Sequence, residues 1–318
     1  KRTMPATLFS QHDALVRLAR AVRDTGYRFV TVSPETHRRV NARAGNAWAR
    51  DMRGVLGWSR PFRAHALPAD VLAAMRAADV VEPYEDGWRS RVRFSTLGDA
   101  LFAHSAYPTE AADSVFFGPD TYRFARAITA HLAQRPRPVR RAVDIGCGAG
   151  PGAITVARAC PEAQVWAGDI NPAALRITAV NAELAGTPNV VARESNLLAG
   201  VDGEFDLIVA NPPYLNDPGM STYRHGGGPL GAALSLAILQ AAGSRLAAGG
   251  SLVLYTGVAI VEGSDPFLDA AGAILRGSGL AWHYAEVDPD VFGEELASPA
   301  YAHAERIAAV VLTVTAPG

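Results

Sequence analysis

The sequence predicts an α/β protein, a mostly parallel sheet of seven strands with helices between them, preceded by a smaller α+β domain. Three observations carry that expectation. From Val139 onward, short apolar runs alternate with helical patterns, the rhythm of strand–helix–strand units. The first of those runs leads into a glycine-rich turn, Asp144-Ile145-Gly146-Cys147-Gly148-Ala149-Gly150-Pro151-Gly152, that opens a helix. Before Arg135-Pro136-Arg137-Pro138 the order is different, with helices first and then a hairpin. The division expected is an N-terminal domain over 1–112 and a second domain over 113–318.

In the N-terminal part, Leu15, Val16, Leu18, Ala19 and Val22 recur at helical spacing over 11–23, and Gly26 closes the run. Ser33-Pro34-Glu35-Thr36 reads as an N-cap with proline at the first helical position, opening a helix that runs toward Gly45 or slightly beyond. A third helix follows Pro68, with Val71, Leu72, Met75 and Ala78 on one face. Val80 to Glu82, a turn at Glu85-Asp86-Gly87, and Arg89 to Phe94 alternate as a hairpin. Three helices and a hairpin give a winged-helix-like outline, one shared by small domains with no nucleic-acid role. In the second part strands are expected near 139–145, 164–169, 189–193, 206–210, 251–256, 280–287 and 306–315. Helices are expected near 151–160, 172–186, 230–247 and 265–278.

At 318 residues and 49 % hydrophobic, the chain can bury a sizeable core. Its longest apolar stretches, such as Ile307 to Val314 and Ala232 to Ala242, fall short of the ~20 residues that span a bilayer. With no secretory apolar region at the N-terminus, the expected setting is cytoplasmic. Cys147 and Cys160 lack partners at zinc-ligand spacing and read as small buried apolar residues, so no metal is implied. The net charge of -1 conceals an asymmetry. Residues 1–141 carry 23 Lys+Arg against 13 Asp+Glu, and the remainder 7 against 18. A basic N-terminal part fits an anionic partner such as RNA or DNA; the alternative is that the two parts neutralise each other.

The glycine turn allows the backbone to bend sharply and to approach a ligand with no Cβ in the way. Dinucleotides and S-adenosylmethionine both use such turns. The dinucleotide spacing fails when begun at Gly146, because Pro151 takes the last place, and fits only in its Gly/Ala form begun at Gly148, with Ala153. Asp169 ends the next strand, where a carboxylate can accept hydrogen bonds from both hydroxyls of a ribose.

These residues resemble the first two motifs of the Rossmann-like class I methyltransferases, which use S-adenosylmethionine. The resemblance implies that Asp144, Gly146, Cys147, Gly148 and Gly150 hold the methionine end of the cofactor, and that Asp169 and Ile170 lie at its ribose. Asn196 stands where the family usually has an Asp for the adenine amino group, an exchange an amide carbonyl can serve. Phe205 to Ala210, followed by Asn211-Pro212-Pro213-Tyr214, resembles the fourth motif of amino methyltransferases, whose acceptors are glutamine amides and exocyclic base amines. Such nitrogens are poor nucleophiles because the lone pair is delocalised. Two N–H groups donated to the Asn211 side-chain oxygen and the Pro212 carbonyl would turn that lone pair outward, Asn211 also bordering the cofactor. Pro212 and Pro213 stiffen the loop, and Tyr214 offers a flat face to the target.

Two further segments extend the likeness to the methyltransferases of peptide-chain release factors, over roughly 115–318. Phe117-Gly118-Pro119-Asp120-Thr121 resembles their turn over the methionine end, which implicates Pro119 and Thr121, although the arginine usual beside it is absent. Tyr223 to Gly231 resembles their glycine segment near the substrate. His225 and Arg224 are candidates there for catalysis and for an anionic contact, while Tyr122 and Phe124 read as cofactor walls or core. The first 110 residues do not match the release-factor enzymes. The expected activity is therefore N-methylation of a macromolecule, either a protein glutamine in a translation protein or an RNA or DNA amino group, recognised through the N-terminal domain. The alternatives are a nucleic-acid-binding regulator that senses the cofactor, and a small-metabolite methyltransferase.

Overall fold

The computed structural model describes residues 7–109, 111–216 and 224–318. The chain forms two compact units: residues 1–122 with 148–150 and 171–188, and residues 123–147, 151–170 and 189–318.

In the first unit, α1 (His12–Asp24) buries the expected apolar stripe. The Ser33 hydroxyl caps α2 (Pro34–Asn41) by accepting the Thr36 N–H at 3.3 Å. This helix stops short of Gly45, because Asn41 turns its amide onto the Trp58 carbonyl at 2.9 Å and the chain leaves the helix at Ala42. A short helix, α3 (Met52–Leu56), was not expected; five residues are too few to show a period. After α4 (Ala69–Ala77), β1 (Val81–Tyr84) and β2 (Gly87–Ser90) pair antiparallel across a two-residue turn. The run Arg89 to Phe94 is not one strand. Arg91 donates to the Val80 carbonyl at 2.8 Å, in register with the β1–β2 ladder, and the ladder ends there as Ser90 folds its hydroxyl onto the Val92 carbonyl at 2.7 Å. Val92 then begins a second hairpin of β3 (Val92–Leu97) and β4 (Ala100–Ser105).

The helix α5 (Pro119–Gln134) also went unanticipated, its apolar face being diluted by Arg and Ala. The remaining elements alternate: β5 (Arg141–Ile145), α6 (Pro151–Ala159), β6 (Gln164–Asp169), α7 (Pro172–Leu184), β7 (Val190–Glu194), β8 (Phe205–Ala210), α8 (Ala233–Gly243), β9 (Leu246–Val261), α9 (Pro266–Leu275), β10 (Ala281–Asp288) and β11 (Ala304–Thr315). Of these α7 belongs to the first unit.

The seven strands β5 to β11 form one sheet in the order β10-β11-β9-β8-β5-β6-β7. All neighbours are parallel except β11, which runs antiparallel to both β10 and β9. β9 is far longer than 251–256 because β11 pairs with it from Ser251 to Val261. Ile208, Leu252, Leu254, Val310 and Leu312, all fully buried, form the centre of the core on this sheet. The backbone ladders join these strands into one layer, and at ~25 cal/mol per Å² of apolar surface removed from water, burial of such side chains is the main favourable contribution of this core. Among the described residues no helix is long and apolar enough to cross a membrane.

Candidate active site

The sheet order reverses between β5 and β8. From β5 the chain winds through β6 to β7 on one side, then returns to add β8 on the other. At such a reversal the loops leaving neighbouring strands diverge and leave a crevice at the carboxyl ends of the strands. Asp144 pairs in register with Val209, and Ile145 with Ala210. Gly146 and Asn211 are therefore the first residues beyond two adjacent strand ends, one on each side of the crevice.

The glycine turn is stitched to the neighbouring strand: the Gly146 and Cys147 N–H groups both donate to the Gly168 carbonyl, at 2.8 and 2.9 Å. Gly146, Gly148 and Gly150 all take positive φ, between 56° and 88°, which a side chain would strain. Gly152 is required for a different reason. A Cβ there would stand 2.6 Å from Asp144 Oδ2 and 3.1 Å from the Phe124 ring. Phe124 thus walls the underside of this turn, the packing role among those expected of it.

Asp144 is 2 % exposed and accepts one hydrogen bond, from the Ala153 N–H at 2.9 Å in the first turn of α6. Burial, reinforced by the nearby Asp169 charge and only partly opposed by that hydrogen bond, pushes its carboxyl up to about 8. No cation of the described residues offsets it. A buried acid of this kind suits a ligand that brings its own ammonium group. Asp169 closes β6, and Ile170 beside it is 58 % exposed, an apolar side chain open to a ligand's flat ring. Asn196 is exposed two residues past Glu194, the β7 partner of Asp169, and is followed by Leu197 at φ +52°. A left-handed leucine is costly and marks a constrained bend at this strand end.

The Asn211 side chain is half-buried and makes no hydrogen bond to the described residues. Pro212 is buried and Pro213 half-buried. Tyr214 is 6 % exposed and packed rather than open: its ring lies edge-on to Phe292 at 5.9 Å and over Gly257 of β9, where a Cβ would come within 2.0 Å of it. Three contacts from the β10–β11 connection hold this loop. Besides Phe292, itself at φ +51°, Tyr301 Oη accepts the Asn216 N–H at 2.8 Å, and Glu295 pairs with Arg224. Arg224 is thus engaged by a carboxylate. His225 bridges Leu215 through the backbone, and its Nδ1 is buried without a partner among the described residues. Tyr223 lies outside the described residues.

In the first unit, Pro119 opens α5, and the Thr121 hydroxyl accepts the Gly118 N–H at 3.2 Å, so this turn is a helix cap. Tyr122 accepts the Thr31 N–H at 3.1 Å, which makes it a packing residue. The later part of the glycine turn is held by α7. Thr178 donates to the Gly148 carbonyl at 2.9 Å and Asn181 to the Ala149 carbonyl at 2.8 Å. Sequence reasoning missed these two, and also Phe292, Glu295 and Tyr301. Thr178 and Asn181 had a signal: two polar residues three apart, on a face shared with Ile177 and Val180.

A crevice at a sheet reversal, a glycine turn with a buried acid, and an Asn-Pro-Pro-Tyr strand end define a methyltransferase, and comparison with known proteins agrees. Residues 115–259 match the family model "Methyltransferase small domain". The chain is 31 % identical to the release factor glutamine methyltransferase of Bordetella pertussis over 238 residues, 69 % of this chain and 87 % of that one. It is 36 % identical to that of Deinococcus radiodurans over 56 % of this chain and 63 % of that one. The ribosomal protein uL3 glutamine methyltransferase of Bordetella pertussis is 40 % identical over 38 % of this chain and 45 % of that one. The chain belongs to the methyltransferase family that includes the release factor glutamine methyltransferases, enzymes whose methyl donor is S-adenosylmethionine. It spans 63 % of the Deinococcus relative's length and about 28 % of that of two others.

Proposed function

We propose that the chain methylates the side-chain amide of a glutamine in a protein of the translation apparatus, with S-adenosylmethionine as donor. The observation that carries this is Asn211: an amide with no hydrogen bond to the described residues, one residue past the end of β8 and beside the crevice. Relatives of the chain are named for glutamine methylation.

Asp144, Gly146, Cys147, Asp169, Ile170 and Asn196 are assigned to the cofactor, Asp144 for its ammonium group, Asp169 for the ribose and Ile170 for the ring. Gly148, Gly150, Pro119 and Thr121 are assigned to it by their motifs. The cofactor supplies an electrophilic methyl group. Asn211 Oδ1 and the Pro212 carbonyl accept the two N–H groups of the acceptor amide, which aims the nitrogen lone pair away from them. Pro212 and Pro213 fix those carbonyls in advance, so little reorganisation is left for the reaction. No strong base is needed, since the nitrogen acidifies once alkylated. In-line positioning supplies up to ~7–11 kcal/mol of barrier reduction in favourable cases. Tyr214 acts here as a packed support for the loop.

Residues 1–112 are assigned to substrate recognition. Their order of α1, α2 and α4 before the β1–β2 hairpin supports a winged-helix-like reading. One observation favours a second reading, methylation of a base amine in RNA. Around that hairpin Arg63 stacks over Trp48 at 4.0 Å, Arg89 over Tyr84 at 3.7 Å and Arg76 over Trp88 at 5.1 Å, a basic and aromatic surface. Transfer of labelled methyl into a cell extract, digested separately with nuclease and protease, tests both. Label released only by protease is the expected result. Label released only by nuclease would replace the first reading with the second.

A further inference from the structure

Positive charge in the first unit is concentrated between Pro34 and Arg63, a stretch with seven arginines and two acids, Glu35 and Asp51. Both acids are already engaged. Glu35 accepts from Arg38 at 2.8 Å and from Arg39 at 2.6 Å, one carboxylate shared by two guanidiniums that together hold it down at about 2. Asp51 caps α3 by accepting the Gly54 N–H at 2.8 Å. Arg63, at the far end, pairs with Asp86 in the β1–β2 turn, and with Glu82 and Glu85 exposed on that hairpin the positive excess stops there.

Arg43, Arg50 and Arg60 form no ion pair with the described residues, and the fold gathers them where the chain leaves α2. Arg50 donates to the Gly45 carbonyl at 3.0 Å and Arg60 to Asn41 Oδ1 at 2.9 Å, two residues after and two residues before Arg43. Arg50 lies close enough to Arg60 to oppose its charge, and Asp51 close enough to favour it. Each guanidinium carries five N–H donors, and these contacts use one apiece. Arg43 and Arg50 are exposed and Arg60 is half-buried. Two half-buried indoles adjoin the cluster: Arg60 stacks over Trp58 at 5.5 Å, and Arg63 over Trp48 at 4.0 Å. Like charges held together by the fold repel one another, and a bound anion relieves that repulsion.

We propose that this face, Arg43, Arg50 and Arg60 with Trp48 and Trp58, docks a single-stranded RNA as a partner distinct from the methyl acceptor. The three guanidiniums neutralise phosphates along the strand, and the indoles beside them offer flat surfaces to unpaired bases. A duplex keeps its bases stacked inside and answers only the charge. An acidic protein segment likewise brings charge without a base to stack. The proposal rests on neither reading of the acceptor nitrogen, so its failure leaves the proposed function standing.

The probe is a fluorescein-labelled oligouridylate of about 12 nucleotides, within the ~4–16 that such surfaces cover, titrated with the full chain while its anisotropy is followed. Saturable binding is expected, with the logarithm of affinity falling against the logarithm of salt by about 0.7 per phosphate neutralised. Joint substitution of Arg43→Gln and Arg50→Gln, at exposed positions that leave the core untouched, should weaken binding at least about tenfold and lower that slope by about 1.4. Arg276→Gln removes the same charge from an exposed position at the end of α9, and should change affinity less than about twofold. No saturable binding by the wild-type chain, affinity independent of salt, or equal weakening by Arg276→Gln overturns the proposal. Displacement of the probe by polyglutamate as readily as by unlabelled oligouridylate overturns it in favour of an acidic protein, and equal displacement by an RNA duplex overturns the single-strand assignment.

Discussion

Asp144 shows how a single residue ties fold to chemistry. Its carboxyl is raised to about 8 because it is buried beside another acid, so near neutral pH the free chain holds it mostly protonated. An ammonium group pairs only with the ionised form. Cofactor affinity should therefore weaken about tenfold for each pH unit below 8, binding releasing a proton. Above roughly pH 8 it should fall again as the ligand's own amino group, with a pKa of ~7.7–8.0, loses its charge. Calorimetry with S-adenosylhomocysteine between pH 6 and 9 checks this. A flat acid limb would remove Asp144 from the ammonium. Stability follows the same linkage: the folded value lies above the ordinary 3.8, so the contribution is full below 3.8 and is lost as pH climbs to about 8. Gly257 is the second residue with a sharp consequence. Gly257→Ala puts a methyl into the Tyr214 ring and displaces the Asn-Pro-Pro-Tyr loop. Methyl transfer should fall by at least about tenfold with cofactor affinity changed less than twofold, a misplacement effect. Equal loss of both would mean that the loop and the cofactor residues move together.

At the scale of elements, α7 does more than cover one face. Asn181, fully buried, accepts the Ala103 N–H at 2.8 Å and donates to the Ala103 carbonyl at 2.9 Å as well as to Ala149. One side chain fastens β4 and the glycine turn to the same helix. Asn181→Ala strands buried backbone groups, each costing roughly 1–3 kcal/mol. The urea midpoint should drop by an amount of that order, and an unchanged midpoint would mean that water replaces the amide without loss. This fastening was invisible beforehand because it joins residues 78 and 32 positions apart. The strands β6, β8 and β10 were legible to within a residue, since each is bounded by a turn and apolar throughout or along one face. β9 was underestimated because its far end is set by pairing with β11, not by its own composition. The split between β2 and β3 was missed for a comparable reason: alternation continues through Ser90 and Val92, and only the Ser90 hydroxyl on the backbone ends the ladder.

Over the whole molecule, the parts of the candidate site that could be read from sequence are those where ligand chemistry demands a local signature. The glycine turn with Asp144, Asp169 nineteen residues beyond Gly150, and Asn211 to Tyr214 each occupy a few consecutive positions at a strand end. The supports of that site, Phe292, Glu295 and Tyr301, arrive from a connection some 80 residues later and carry no motif. In the proposed function the charge asymmetry between residues 1–141 and the remainder bears on the docking partner, and Asn211 on the type of nitrogen methylated. Whether Asn211 orients the acceptor amide is decided by comparing Asn211→Ala with the wild-type chain in two assays, S-adenosylhomocysteine binding and transfer of labelled methyl to protein glutamine. Binding should be unchanged while transfer falls by at least about a hundredfold, in the range of removing one group that orients charge in the reaction. Full transfer by Asn211→Ala would rule that role out.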